Sequence, residues 1–282
     1  MSITIYSAPG CVRCKIAKQF LKECGLTYRD HDALSEGQAA FRSFYQKNRQ
    51  KIYRGRQGLE FPIYYDGEVI RQGLPAVVAH LIAGPALNGF FKPGKRHGQW
   101  LDGIHISGGD PTYSTDLLEV LIYLKNRSFK IQIDTNGVNA DLLESVLESK
   151  LADCVIMEVK GPLELYEFIL HQPVDPMEIR KSITLVSNCS DYRFVTTIAP
   201  VVRANHDPSQ IGYITPEKVA EAANLVKKTT GDNRQPYFLR FFDPQTSTDD
   251  RLRGMDVLNQ KTLLKYRSKA RKHQFKTEIL ME

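Results

Sequence analysis

Cys11 and Cys14 constrain this chain more than any other residues. They follow a short β-like run, Ile3-Thr4-Ile5-Tyr6, and the turn residues Ser7-Ala8-Pro9-Gly10, and a helical pattern starts directly behind them. A C-x-x-C at a strand-to-helix junction is the arrangement that thiol–disulfide chemistry needs. At a helix N-terminus, unpaired backbone N–H groups and the helix dipole favour a thiolate, and Arg13 and Lys15 add positive charge. Cys11 is therefore the expected nucleophile. Cys14, one turn further in, is placed to resolve a mixed disulfide. The other use of a C-x-x-C, half of a zinc site, needs a second such pair that the sequence lacks, so no metal ligands are expected.

The rest of the composition narrows the setting. Five cysteines are an odd count and no secreted disulfide framework. A reducing compartment is expected, with Cys24, Cys154 and Cys189 inert; Cys154, in Asp153-Cys154-Val155-Ile156-Met157, reads as a buried small hydrophobe. No apolar run approaches the ~20 residues that span a bilayer, and the N-terminus is strand-like rather than a basic segment before an apolar core. A cytoplasmic protein with no membrane partner is expected. The net charge of +6 gathers in Lys47–Arg56 and Lys261–Lys276 without a nucleic-acid-binding motif, so nucleic acid is not an expected partner.

A length of 282 residues favours two domains. Over residues 1–84 the pattern predicts strand 2–6, helix 12–24, strand 27–31, helix 36–50, strands 62–65 and 68–71, and helix 74–82. Asp66-Gly67 supplies a hairpin turn between the last two strands. This order describes a small α/β sandwich. Pro62 opens a strand, where proline is tolerated at a first residue or an edge.

The segment resembles a glutaredoxin and, more broadly, the thioredoxin superfamily, through Ile5-Tyr6-Ser7-Ala8-Pro9-Gly10-Cys11-Val12-Arg13-Cys14 and Phe61-Pro62-Ile63-Tyr64-Tyr65-Asp66-Gly67. The resemblance implies a cis peptide before Pro62, and that Pro62 joins Cys11 and Cys14 in the catalytic site. Two departures stand out: Val-Arg between the cysteines, and Arg71-Gln72-Gly73-Leu74-Pro75 where the family carries a Gly-Gly and acidic pair that helps hold glutathione. The insertion at Lys47–Gly58 is also longer than usual.

Residues 85–101, with Ala83-Gly84-Pro85 and Lys92-Pro93-Gly94, read as a linker. Over 102–282 short apolar strands alternate with helices: strands near 103–107, 130–134, 154–159, 192–198, 237–242 and 275–280, helices near 114–126, 140–149, 163–170, 176–186, 216–229 and 260–273. Such alternation implies parallel strands with crossover helices, and ligands in such folds bind at the carboxyl ends of the strands. Polar clusters stand there: Ser107-Gly108-Gly109-Asp110-Pro111, Asp134-Thr135-Asn136-Gly137 and Glu158-Val159-Lys160-Gly161-Pro162. Each alone is also ordinary turn chemistry.

These clusters resemble the Gly-Gly-Glu-Pro motif and the next two strand ends of radical S-adenosylmethionine enzymes, in the branch that activates glycyl-radical enzymes. Tyr192-Arg193-Phe194-Val195-Thr196-Thr197 and Tyr237-Phe238-Leu239-Arg240-Phe241-Phe242 match its later strands. The implied fold is α/β, a thioredoxin-like N-terminal domain followed by a partial (β/α) barrel. The resemblance implies that Gly108, Gly109 and Asp110 meet the methionine amino group of S-adenosylmethionine, with Asp134, Asn136 and Lys160 lining the same pocket. The C-x-x-x-C-x-x-C loop that holds the family's [4Fe–4S] cluster is missing.

Three readings follow. The first is a thiol–disulfide oxidoreductase that reduces a partner protein, an anaerobic radical enzyme such as a ribonucleotide reductase, with the second domain as docking or ligand-binding scaffold. The second is an iron–sulfur protein holding a [2Fe–2S] cluster through the N-terminal cysteines. The third binds S-adenosylmethionine without cleaving it.

Overall fold

The computed structural model describes residues 2–55, 58–202, 211–247 and 249–280. Arg56 and Gln57, inside the expected insertion, lie outside the described residues. By internal contacts the chain divides into one unit of residues 1–133 and 146–152 and another of residues 134–145 and 153–282.

The first unit opens with β1 (Ile3–Ser7), α1 (Val12–Glu23), β2 (Tyr28–Asp32), α2 (Gln38–Asn48), β3 (Ile63–Tyr65), β4 (Ile70–Gln72) and α3 (Leu74–Ala83). These strands form a four-stranded sheet in the order β2-β1-β3-β4. β1 runs parallel to β2 and antiparallel to β3, and β3 and β4 form the hairpin. Asp66 sets the turn, its carboxylate accepting from the N–H groups of Glu68 and Val69.

Side-chain alternation assigns the sheet's two faces. Tyr6 and Ile63 are paired across β1 and β3 and pack with Phe41 and Phe44 of α2. The rings of Tyr6 and Phe44 stack at 4.4 Å. Ile5 and Tyr64, also paired, face the other way, where Tyr64 meets His80 of α3 edge-on. Cys14, Ala17 and Leu21 give α1 its fully buried stripe, at the three-to-four spacing that seats a helix on a sheet.

The same unit continues through a short turn of helix, Gly84–Leu87, to β5 (Trp100–His105) and α4 (Ser114–Lys125). Phe91 bridges Ile104 on the edge of β5, and Lys92 N–H donates to the Gly103 carbonyl at 2.8 Å. The strand expected at 103–107 thus starts three residues earlier and ends at His105. The Gly108 N–H closes a turn on the His105 carbonyl at 3.0 Å, which takes Ser107 and both glycines out of the ladder.

β6 (Lys130–Thr135) and α5 (Ala140–Glu148) follow, then β7 (Cys154–Glu158), α6 (Leu163–Leu170), α7 (Pro176–Ser187), β8 (Tyr192–Ile198), α8 (Pro216–Thr230), β9 (Tyr237–Phe241), α9 (Gln260–Ala270) and β10 (Glu278–Ile279). The six-stranded sheet has the order β10-β9-β8-β7-β6-β5. The pairings of β7 with β8, β8 with β9 and β9 with β10 are all parallel. Helices between successive strands supply the crossovers that parallel pairing requires. A small ribbon, Pro200–Val202 with Ile211–Tyr213, and a one-turn helix, Asp250–Arg253, were not expected from the sequence.

Candidate functional site

The turn Ala8-Pro9-Gly10 delivers the first cysteine to the start of α1. Gly10 takes φ +69°, a conformation a side chain disfavours, and the Cys11 N–H closes the turn on the Ala8 carbonyl at 3.2 Å. Cys11 caps α1, and its Sγ accepts from the Cys14 N–H at 3.1 Å. The two cysteines form a disulfide with Cα atoms 5.3 Å apart. Cys11 is partly exposed, whereas Cys14 is fully buried. An incoming thiolate therefore reaches Cys11 first, and the N–H groups of the first turn favour its thiolate when the bond opens. The Phe61–Pro62 peptide is cis, and Pro62 is buried at the start of β3.

Of the two residues between the cysteines, Arg13 does something the sequence did not announce. Arg13 is buried and pairs with Glu60 at 3.0 Å. Its guanidinium also donates to the carbonyls of Arg96, at 2.8 Å, and Trp100. Glu60 in turn accepts the Gly94 N–H at 2.6 Å. Burial pushes the Glu60 carboxyl up to about 7, against the Gly94 N–H and Arg13, which pull it down. Arg13 is thus spent on a buried ion pair, and the exposed Lys15 is the cation beside the disulfide that faces solvent. A Glu two residues before Pro62 was visible in the sequence, but nothing marked it as the partner of Arg13.

Two further thiols are not activated. Burial, aided by Glu23, pushes Cys24 up, and burial alone pushes Cys189 up. Cys154 is buried in β7.

Gly108 and Gly109 belong to the first unit and meet their own chain. A Cβ on Gly108 would overlap the Gly89 carbonyl, and one on Gly109 would overlap the Phe90 ring. Close approach by the 89–90 segment accounts for both glycines without a ligand. Asp110 caps the following turn, accepting from Thr112 N–H at 2.9 Å and Thr112 Oγ1 at 2.7 Å. In the second unit, Asp134 lies near the end of β6, partly buried, and Asn136 caps the next turn by accepting the Val138 N–H at 3.1 Å. Lys160 pairs with Glu158 at 2.8 Å. Burial opposes ionisation of Glu158, but Lys160, Thr197 and Arg240 together hold its carboxyl below its ordinary value.

A [4Fe–4S] cluster of the radical type needs three thiolates from one loop. Here Cys11 and Cys14 are bonded to each other, Cys24 ends α1, Cys154 lies inside β7 and Cys189 follows α7. These residues do not fit such a cluster.

The four-stranded sheet with its helices and the Cys11–Cys14 disulfide gives the N-terminal segment a thioredoxin-like fold. Residues 3–51 match the family model for glutaredoxin. A protein of Methanocaldococcus jannaschii described as a glycyl-radical enzyme activating enzyme is 27% identical to this chain over 178 residues, 61% of this chain and 68% of that protein. Among solved structures, a domain of a pyruvate-formate lyase-activating enzyme from Bacteroides vulgatus shares 14% identity at a TM-score of 0.43, covering 64% of this chain and 100% of that one. The coproporphyrinogen III oxidase of Escherichia coli, a radical SAM enzyme, shares 15% at a TM-score of 0.41, over 69% of this chain and 41% of that one. The chain joins glutaredoxin-like sequence to sequence similar to a protein described as a glycyl-radical enzyme activating enzyme. Among the described residues no helix is long and apolar enough to cross a membrane.

Proposed function

We propose that the chain is a thiol–disulfide oxidoreductase acting on a partner protein. The Cys11 thiolate attacks one sulfur of a substrate disulfide, forming a mixed disulfide and releasing the first substrate thiolate, which takes up a proton. Cys14 loses its proton and attacks Cys11 Sγ, closing the Cys11–Cys14 bond and releasing the second substrate thiol. Two electrons pass from the pair to the substrate, and an external dithiol must return them. In this reading Pro62, by the resemblance to glutaredoxins, positions the extended substrate backbone. The observation that carries the reading is the disulfide between a partly exposed Cys11 at a helix N-terminus and a fully buried Cys14.

The finer part of the proposal concerns the partner. Similarity to an activating enzyme supports a radical enzyme whose cysteines must be re-reduced at each turnover, such as an anaerobic ribonucleotide reductase, with residues 102–282 as the scaffold that docks it. The test is reduction of a protein disulfide by a chemically regenerated pool of this protein. Turnover is expected with the native chain and not with Cys11→Ser; undiminished turnover in that variant rejects the assignment.

A further inference from the structure

A cavity of about 190 Å³ opens in the first unit, away from the cysteines, between β4, α3 and the segment that follows α3. Its polar lining includes Lys51, Arg71, His80, Asn88 and Lys92, with no carboxylate among the described residues that line it. The partly buried Arg71 and the exposed Lys51 and Lys92 gather positive charge at its wall, which favours an anion there.

Arg71 is held ready for one. Its guanidinium donates to the Ile70 carbonyl at 3.1 Å and the Asn88 side-chain oxygen at 2.8 Å, which fixes the plane and leaves further N–H donors. Burial pulls its pKa below the ordinary arginine value, against Asp66 and Tyr64. Asp66, outside the lining, accepts from the N–H groups of Glu68 and Val69 and from the Tyr64 hydroxyl, and lies 3.8 Å from His80 Nε2. His80, whose pKa burial and Arg71 lower against the pull of Asp66, adds a polar wall. The floor is apolar, from Ile70, Ala76 and Ala79.

We propose that this cavity binds a small phosphate-type oxyanion, free or as the phosphoryl group of a compact ester, between Lys51, Arg71 and Lys92. Arginine's planar fork matches two phosphate oxygens, and the lysines supply the remaining charge. The size sets an upper bound: typical drug-sized ligands occupy roughly 300–1,000 Å³, so a nucleotide does not fit inside. The cavity wall includes Asn88 and Gly89, and Gly89 packs against Gly108. Occupancy therefore bears on the segment that fills the face of the Gly108-Gly109 turn. The proposal is independent of the redox reading.

The experiment is calorimetric titration of the full chain with inorganic phosphate and with glycerol 2-phosphate, using glycerol as the uncharged control, at constant ionic strength. Saturable one-site binding is expected for either or both anions and none for glycerol. Phosphate alone points to the free anion, and tighter binding of the ester points to a phosphoryl group. Lys51→Gln and Lys92→Gln, each a change at a chain end that leaves the Arg71 contacts intact, are expected to weaken binding about tenfold or more. Lys47→Gln, outside the cavity, is expected to leave it unchanged. Near-ultraviolet circular dichroism checks that the variants fold. No saturable binding to the native chain, or binding that Lys51→Gln and Lys92→Gln leave unaltered in folded protein, overturns the proposal.

Discussion

The buried pair of Arg13 and Glu60 makes a prediction that depends on sign as well as size. Free glutamate titrates near 4.3, whereas burial raises Glu60 to about 7 in the folded chain. Between those values the folded state holds a proton that the unfolded state has lost. Stability contributed by this group is therefore complete below the unfolded value and lost as pH rises through the folded one. From pH 5 to pH 8 the loss amounts to roughly 2 to 3 kcal/mol. Glu60→Gln keeps an acceptor for the Gly94 N–H and for Arg13 but cannot titrate. Urea unfolding of both proteins at pH 5, 6, 7 and 8, with the disulfide kept intact, isolates the effect. The native chain's stability relative to the variant should fall by that amount across the series. A difference that stays flat, or grows as pH rises, would refute the claim that burial outweighs Arg13 at this carboxyl.

Other substitutions probe the packing. Gly109→Ala puts a Cβ into the Phe90 ring and should cost about 1–3 kcal/mol by urea unfolding. Phe44→Ala removes the ring stacked on Tyr6 and should cost about 3–5 kcal/mol, also by urea unfolding. Glu23→Ala breaks the 2.9 Å ion pair with Arg127, but both side chains are over a quarter exposed, so the change should stay below about 1 kcal/mol.

The alternation of apolar runs made most elements legible. The helices Val12–Glu23, Leu163–Leu170 and Pro176–Ser187 and the strand Tyr192–Ile198 lie within one residue of the sequence expectation, because their apolar spacing has a single period. The start of β5 was misplaced because Trp100-Leu101-Asp102 interrupts the apolar run, and the edge bridge from Phe91 to Ile104 that extends the sheet there is a non-local contact. The ribbon Pro200–Val202 was missed for the same reason: its partner lies beyond a segment with no apolar alternation. The cis peptide before Pro62 was implied only by the resemblance to glutaredoxins, whereas the Cys11–Cys14 pair was readable from its local motif. The Arg13–Glu60 pair was not, since 47 residues separate its members and only folding brings them together. Nor was the cationic cavity, whose lysines and arginine come from three separate stretches of chain. The two glycines at 108–109 were read as room for a ligand, yet Gly89 and Phe90 occupy their faces; a close-approach glycine looks the same in sequence whatever approaches it.

In the proposed reaction Cys11 is the attacking thiol and Cys14 the resolving one. Trapping tests it most directly. Cys14→Ser, reduced and mixed with a protein disulfide, should stop at the mixed disulfide, and mass mapping should find the substrate attached to Cys11 alone. Attachment at Cys24 or Cys189, or no trapped species while the same variant still reduces the substrate, would contradict the account.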